Sequence, residues 1–109
     1  MQMKTTYQVK VTYNKANTQA NKMDRIAANI DKKRQKLADD RRKLAGYWKG
    51  DNSDSYQAKM NQWENELSGI VTDLRNIAQT IREVARNTYN ADMRAVQVAQ
   101  QKANKKKRK

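Results

Sequence analysis

The chain has 109 residues, of which 37% are hydrophobic and 32% charged, and it contains no Phe, Cys or His. So short and polar a chain cannot enclose a thick globular core, and helices packed along one seam are expected instead. Without Cys or His, the sequence excludes disulfides, a zinc site, a thiol nucleophile and an imidazole base. The carboxylates of Asp39/Asp40 and Glu64/Glu66 are spaced so that they do not share a helix face, and we expect solvated charges. The sequence therefore predicts no catalytic residue, no metal and no cofactor.

The first part of the chain shows two periodicities. Apolar and polar residues alternate over 7–13, which predicts a short extended lead-in over 1–12. Thr12 would then cap a first helix over 13–46. The helical pattern is carried by apolar residues that recur every seven positions, at Met23, Ile30, Leu37 and Leu44.

The segment 45–54, AGYWKGDNSD, joins turn residues to a Trp. Gly and Asp favour a turn, and we place it at 46–52, whereas a Trp usually docks against something. Asp51 or Ser53 would cap a second helix over 53–101. Its apolar residues alternate steps of three and four, which is typical of a coiled-coil seam. The seam runs through Met60, Trp63, Leu67, Ile70, Leu74, Ile77, Ile81 and Val84 and continues to Val98.

A linker of about six residues makes the two helices antiparallel neighbours, so the expected fold is an all-α helical hairpin. A hairpin has only one internal interface, and helix two is more apolar than helix one, whose seam also holds Arg34 and Arg41. Apolar surface would be left over. We therefore expect association into a four-helix bundle, either with itself or with a second hairpin protein.

A hairpin of about 100 residues with Trp48-Lys49-Gly50 in its turn resembles the WXG family of small ESAT-like proteins of type VII secretion. The segment VKVTYNKA at 9–16 looks like the family's entry into helix one, and the long amphipathic second helix is also similar. The resemblance implies dimeric hairpins that are exported folded, in pairs, by an ATPase-driven membrane machine of Gram-positive or mycobacterial bacteria. Such proteins are secreted substrates, or partners that carry larger toxins through a helical targeting domain, and they are not enzymes.

In that family the turn motif lies beside a Tyr-x-x-x-Asp/Glu on the partner, and the two form the export signal. Here Tyr89 is followed by Met93 at plus four and by Asp92 at plus three. Positions plus three and plus four share a helix face, so Tyr89 and Asp92 can still present a ring and a carboxylate together. The resemblance thus implies a recognition motif made of Trp48, Gly50, Tyr89 and Asp92. An unrelated surface Tyr and Asp is the equal alternative, and the departure favours an adaptor role.

The net charge of +13 is unevenly distributed, with +9 on residues 1–50 and +4 on 51–109. A solvated helix face with a disordered basic tail over 102–109, an acidic protein partner, or nucleic acid or anionic lipid would each account for it. A basic coiled-coil protein that binds nucleic acid non-specifically is the rival function, although no sequence-reading motif is present. Helix one also lacks the wide apolar face that inserts into membranes. The basic patch comprises Lys32, Lys33, Arg34, Lys36, Arg41, Arg42, Lys43, Lys105, Lys106, Lys107, Arg108 and Lys109.

The first residues lack the apolar stretch and cleavage site of a signal peptide, and no run approaches a membrane span. We therefore expect synthesis in the cytoplasm, followed by secretion through a type VII system or retention as an adaptor.

Overall fold

A computed structural model describes residues 5–107, with the backbone alone for Lys107. Two helices, α1 (Thr6–Tyr47) and α2 (Asp51–Lys107), form a hairpin. No strand occurs within residues 5–107. The predicted all-α helical hairpin is confirmed. The chain divides into a terminal unit, Met1–Asn21 with Ala78–Lys109, and a turn unit, Lys22–Ile77.

Helix α1 begins at Thr6, so the predicted extended lead-in is wrong over its described part. Thr5, not Thr12, caps the helix. The backbone N–H of Gln8 donates to Thr5 Oγ1 (3.1 Å), and the Thr5 N–H donates to Gln8 Oε1 (2.9 Å). This reciprocal pair is a capping box, which satisfies two N–H groups that the first helical turn leaves without partners. Helical φ/ψ angles therefore extend to positions that the sequence pattern assigned to an extended segment.

Helix α2 begins at Asp51, and the predicted caps are wrong. The carbonyl of Gly50 accepts the first helical bond from the Asp54 N–H (3.0 Å), while Ser53 Oγ donates backwards to the Trp48 carbonyl (2.7 Å). Gly50 has φ +116°, a conformation that other residues rarely adopt. At its other end α2 continues to Lys107, so the predicted disordered tail is helical over 102–107. Arg108 and Lys109 lie outside the described residues.

The terminal unit has a core of small side chains. Two pairs of residues place its segments antiparallel: Tyr13 contacts Tyr89 (ring centroids 4.8 Å apart), and Arg82 Nη2 donates to Asn21 Oδ1 (2.8 Å). The buried apolar residues of this unit are Val9, Ala20, Ala78, Ala85 and Val96. The three alanines among them allow close approach of the helices while burying little volume per residue.

The turn unit buries Ala27, Ala38, Met60 and Val71. Two further side chains of this unit, Ser53 and Glu64, are buried and polar, and each forms hydrogen bonds. The expectation that Glu64 is a solvated charge is therefore wrong, because α1 supplies it with a cation. No helix within residues 5–107 is long and apolar enough to cross a membrane.

Candidate functional site

The turn between the helices carries an aromatic cluster. Trp48, which is 37% exposed, lies against Tyr56 of α2 with ring centroids 5.4 Å apart and planes tilted by 53°. Lys49 folds back, and its Nζ donates to the Ala45 carbonyl (2.6 Å). Trp48 also continues the helical pattern by donating its backbone N–H to the Leu44 carbonyl (2.9 Å). The indole thus packs against Tyr56 yet keeps an accessible surface, as a docking residue requires.

The α2 seam predicted from sequence occupies two different environments in the structure. Met60 is buried, and Leu67, Leu74 and Ile81 are half-buried. The alternate members of the seam, by contrast, are exposed: Trp63, Ile70, Ile77 and Val84. On α1 the seven-residue row is half-buried throughout, at Met23, Ile30, Leu37 and Leu44. The bulky apolar side chains therefore border the internal interface more than they fill it.

Within the turn unit, several apolar residues of both helices that are exposed or half-buried share one face of the hairpin. Ile70 precedes the buried Val71 on α2, and Leu37 precedes the buried Ala38 on α1. Each is therefore rotated from its buried neighbour by about 100° in the same sense. In antiparallel helices, equal rotations from the shared interface point to the same side. We call this surface the open face; its members are Tyr56, Trp63, Ile70 and Ile77 on α2, and Ile26 and Leu37 on α1.

A buried ion pair connects the helices inside the turn unit. Arg41 donates from Nε to Glu64 Oε2 (2.6 Å) and from Nη2 to Glu64 Oε1 (3.2 Å). Gln57 completes the network by accepting from Arg41 Nη1 (3.2 Å) and donating to the Arg41 carbonyl (3.1 Å). The hydrogen bond that Arg41 donates to Glu64 raises the pKa of the guanidinium; burial lowers this pKa, and the negative charge of Glu64 raises it further. Arg41 therefore stays charged and belongs to the hairpin rather than to a free basic patch.

The terminal unit contains an apolar groove of about 370 Å³. Val9, Ala16 and Val84 contribute to its walls, and both Tyr89 and Asp92 line it. The ring of Tyr89 contacts Tyr13, and both Tyr89 and Asp92 are half-buried. The structure thus places the ring and the carboxylate of the predicted motif at one groove, although their spacing is three rather than four residues.

The remaining basic residues fall into two groups. Arg34 is paired with Asp31 (Nη2 to Oδ1, 3.0 Å), and Arg42 with Asp39 (3.4 Å). Lys32, Lys33, Lys36 and Lys43 are exposed on α1, and Lys105 and Lys106 are exposed on the last turns of α2. The patch that sequence predicted as one feature is therefore partly neutralised. Within residues 5–107, no group of His, Cys, Asp or Glu could hold a metal ion.

Sequence reasoning missed Tyr56, Ile26 and Tyr13. Tyr56 stands seven residues before Trp63, so an extension of the seven-residue spacing could have found it. Ile26 falls outside the row through Met23 and Ile30, and only the exposure in the folded chain identifies it. Tyr13 was placed at the first position of the predicted helix over 13–46, whereas in the structure it lies inside α1, which begins at Thr6, and contacts Tyr89.

Comparison with known proteins agrees with the geometry. No similar curated protein and no similar solved structure was found. A family model, WXG100, described as proteins of 100 residues with WXG, matches residues 8–93. The matched range includes the Trp48–Gly50 turn, most of α1 and α2 up to the segment that holds Tyr89 and Asp92. The chain belongs to the WXG100 family.

Proposed function

We propose that the chain is a type VII secretion protein that pairs through its open face with a second small helical-hairpin protein. Membership of the WXG100 family relates it to small helical proteins of that system, which pair with themselves or with one another. In this proposal the protein is either a secreted substrate or a targeting partner that accompanies a larger toxin. Its turn and its C-terminal segment are the parts that the secretion ATPase or the toxin recognises.

One observation carries the proposal: Tyr56, Trp63, Ile70 and Ile77 are large, exposed and seven residues apart on one helix. Seven-residue spacing keeps side chains on one face along two turns of helix per step. A row of bulky apolar groups at this spacing is the geometry of a helix-packing seam. Monomeric proteins rarely expose such a continuous apolar surface, so we infer that a partner's helices cover it.

The recognition surface that we propose has two parts. Trp48 remains accessible at the turn, and Tyr89 with Asp92 lines the groove of the terminal unit. We propose that the turn of one protein lies beside the C-terminal helical segment of its partner, so that each hairpin contributes one half. The groove side chains would then contact the partner's turn by apolar packing and by hydrogen bonds to the carboxylate.

The test separates pairing from recognition. Ile70→Asp places a carboxylate at the centre of the open face, and we expect a folded monomer where the wild-type protein sediments as a pair. Trp48→Ala should leave pairing and folding intact but reduce export from a type VII-competent host. Thr72→Asp is the matched control, because Thr72 is also exposed on α2 but lies away from the open face. Wild-type monomer at tens of micromolar, with or without partner, would contradict the proposal.

A further inference from the structure

Six exposed cations form a ridge along α1 in the turn unit: Lys22, Arg25, Lys32, Lys33, Lys36 and Lys43. Four of them, Arg25, Lys32, Lys36 and Lys43, are spaced by seven, four and seven residues, which places them on one line of the helix. This line is about 27 Å long at 1.5 Å per residue. We call the six residues the basic ridge.

Two of the four acidic residues of α1 are engaged by residues that do not belong to the ridge. Asp31 accepts from Arg34 Nε (3.0 Å) and Gln35 Nε2 (3.1 Å), and Asp39 accepts from Arg42. Asp24 also has an interaction partner. The ion pairs of α1 in this unit join Arg34 to Asp31, Arg41 to Glu64 and Arg42 to Asp39, and none of these three cations belongs to the ridge. The uncompensated charge of α1 in this unit is therefore positive, with Asp40 as the opposing group.

One edge of the basic ridge, at Lys22 and Lys33, adjoins the open face. Ile26, which is 50% exposed, follows Lys22 by four residues and precedes Lys33 by seven, so it lies beside both on the helix surface. An apolar surface with a charged rim is the usual anatomy of a protein–protein interface. A nucleic acid bound to the ridge would leave the adjoining apolar residues uncovered. A lipid surface would need a wide face of bulky apolar residues on the helix that carries the ridge, which α1 lacks. The geometry therefore favours a protein that covers both features.

A second copy of this chain does not supply the missing negative charge. Residues 51–77 contain five acidic and two basic residues. However, Asp51 and Asp54 occupy the first turn of α2, where they compensate the helix dipole, and Glu64 is buried on Arg41. Glu66 and Asp73 remain, and they are balanced by Lys59 and Arg75. Two copies would also bring together chains of net charge +13 each.

From these observations we infer that the open face is completed by an acidic helical protein, different from this chain, whose carboxylates lie against the basic ridge. The inference rests on the proposed pairing and specifies the chemistry of the partner. Complementary charges at the rim of an apolar interface select the partner and accelerate the encounter, whereas like charges in contact exclude the wrong one. The apolar residues supply contact area, and the ridge determines which hairpin is accepted.

A charge-reversed version of the chain is a defined probe for such a partner. In this probe all six ridge residues are replaced by Glu, while the open face is unchanged. Mixed with the labelled wild-type protein, it should form a mixed pair that is favoured over wild-type self-pairing on the order of tenfold at ~50 mM salt. The preference should shrink at ~500 mM salt, where charges are screened over a few Å. Native mass spectrometry or fluorescence energy transfer measures the ratio.

The matched control carries the same change in net charge at six exposed cations away from the ridge: Lys10, Lys15, Arg75, Arg86, Arg94 and Lys102. An equal preference for this control would overturn the inference, because net charge alone would then suffice. A second probe, with the six ridge residues replaced by Gln, should self-pair more tightly than the wild-type protein. Unchanged self-pairing of the Gln variant would also overturn it, and this readout does not depend on folding of the Glu variant.

Two further measurements show whether a negative result contradicts the acidic partner or the proposed function itself. If Ile70→Asp abolishes pairing but the ridge variants pair like the wild-type protein, the open face is the interface and the acidic partner is wrong. If Ile70→Asp pairs normally, the proposed function itself fails. Tighter binding of mixed-sequence duplex DNA than of the charge-reversed chain, at the same salt concentration, would assign the ridge to nucleic acid and overturn the inference.

Discussion

Arg41 of α1 holds both carboxylate oxygens of Glu64 of α2, at 2.6 and 3.2 Å, and the two side chains are 18% and 6% exposed. This pair joins positions 23 residues apart in the chain, beside the buried apolar residues Ala38, Met60 and Val71. A buried ion pair must be matched on both sides, because each charge left alone retains its desolvation cost. The pair therefore penalises any register of α1 on α2 that separates it.

Removal of one partner of this pair should destabilise the hairpin more than removal of both. Glu64→Ala leaves the Arg41 guanidinium largely buried without its carboxylate, and we expect a loss of about 3 kcal/mol. The double variant Arg41→Met/Glu64→Leu should recover most of that loss. Urea unfolding measures both. The exposed pair Arg42–Asp39 is the control, and Arg42→Ala should change the free energy of unfolding by less than about 0.5 kcal/mol. If the double variant loses as much free energy of unfolding as the sum of the two single variants, Arg41 and Glu64 are not coupled as expected.

The same substitution at two neighbouring residues of α2 should affect different properties, folding at one position and pairing at the other. Val71 is 4% exposed and Ile70 is 46% exposed. Val71→Asp buries a carboxylate without a partner. It should unfold the hairpin or lower its free energy of unfolding by at least about 3 kcal/mol. Ile70→Asp should leave the melting temperature of the monomer nearly unchanged while abolishing pairing. Circular dichroism and sedimentation of the two variants provide the comparison. Equal destabilisation by both would mean that Ile70 belongs to the internal core.

Replacement of a glycine by alanine should change stability in a direction that depends on the backbone conformation at that position. Gly69 is inside α2, and a Cβ there would meet nothing within 4 Å, so Gly69→Ala should stabilise the helix by about 1 kcal/mol. Gly50 has equally free space but a φ of +116°, so Gly50→Ala should destabilise the turn by at least about 1 kcal/mol. Thermal melts of the two variants should shift in opposite directions. A stabilising Gly50→Ala would show that the turn relaxes without its left-handed residue.

The start of α1 offers a local test. Thr5→Ala removes the hydroxyl that accepts the Gln8 N–H and should cost about 1 kcal/mol at the helix N-terminus. Because helix ends open locally, faster hydrogen exchange should be confined to the first turns of α1. Thr18→Ala is the control, since Thr18 Oγ1 only donates to the Asn14 carbonyl within the helix. Unchanged exchange at Tyr7 and Gln8 in the Thr5 variant would mean that the cap contributes nothing.

The sequence predicted the hairpin because bulky residues at steps of three and four leave few alternatives to helix. It did not predict which of those residues are buried. Ile70 and Trp63 give a strong periodic signal although they are exposed, whereas the buried Ala38 and Glu64 give almost none. Small or charged side chains carry little hydrophobicity, so the internal interface is nearly invisible in a hydrophobicity pattern. Only three-dimensional contact identifies it.

The start of α1 was missed for a related reason. Tyr7, Val9, Val11 and Tyr13 match a two-residue period, but Val9, Tyr13 and Ala16 are also spaced as one helix face. Over so few residues, the two periods are not distinguishable. The Thr5-x-x-Gln8 pattern was the deciding signal, because a capping box marks a helix start independently of hydrophobicity.

The alanine-lined interior has a consequence for how the protein melts. Ala20 and Ala27 on α1 and Ala85 on α2 are fully or nearly buried, but each contributes little apolar area, while Trp63 and Ile77 contribute much more and face outward. Most of the free energy available from dehydrating these side chains is therefore released only when two chains meet. Folding and binding then become linked equilibria, and the unfolding midpoint should rise with the logarithm of the partner's concentration.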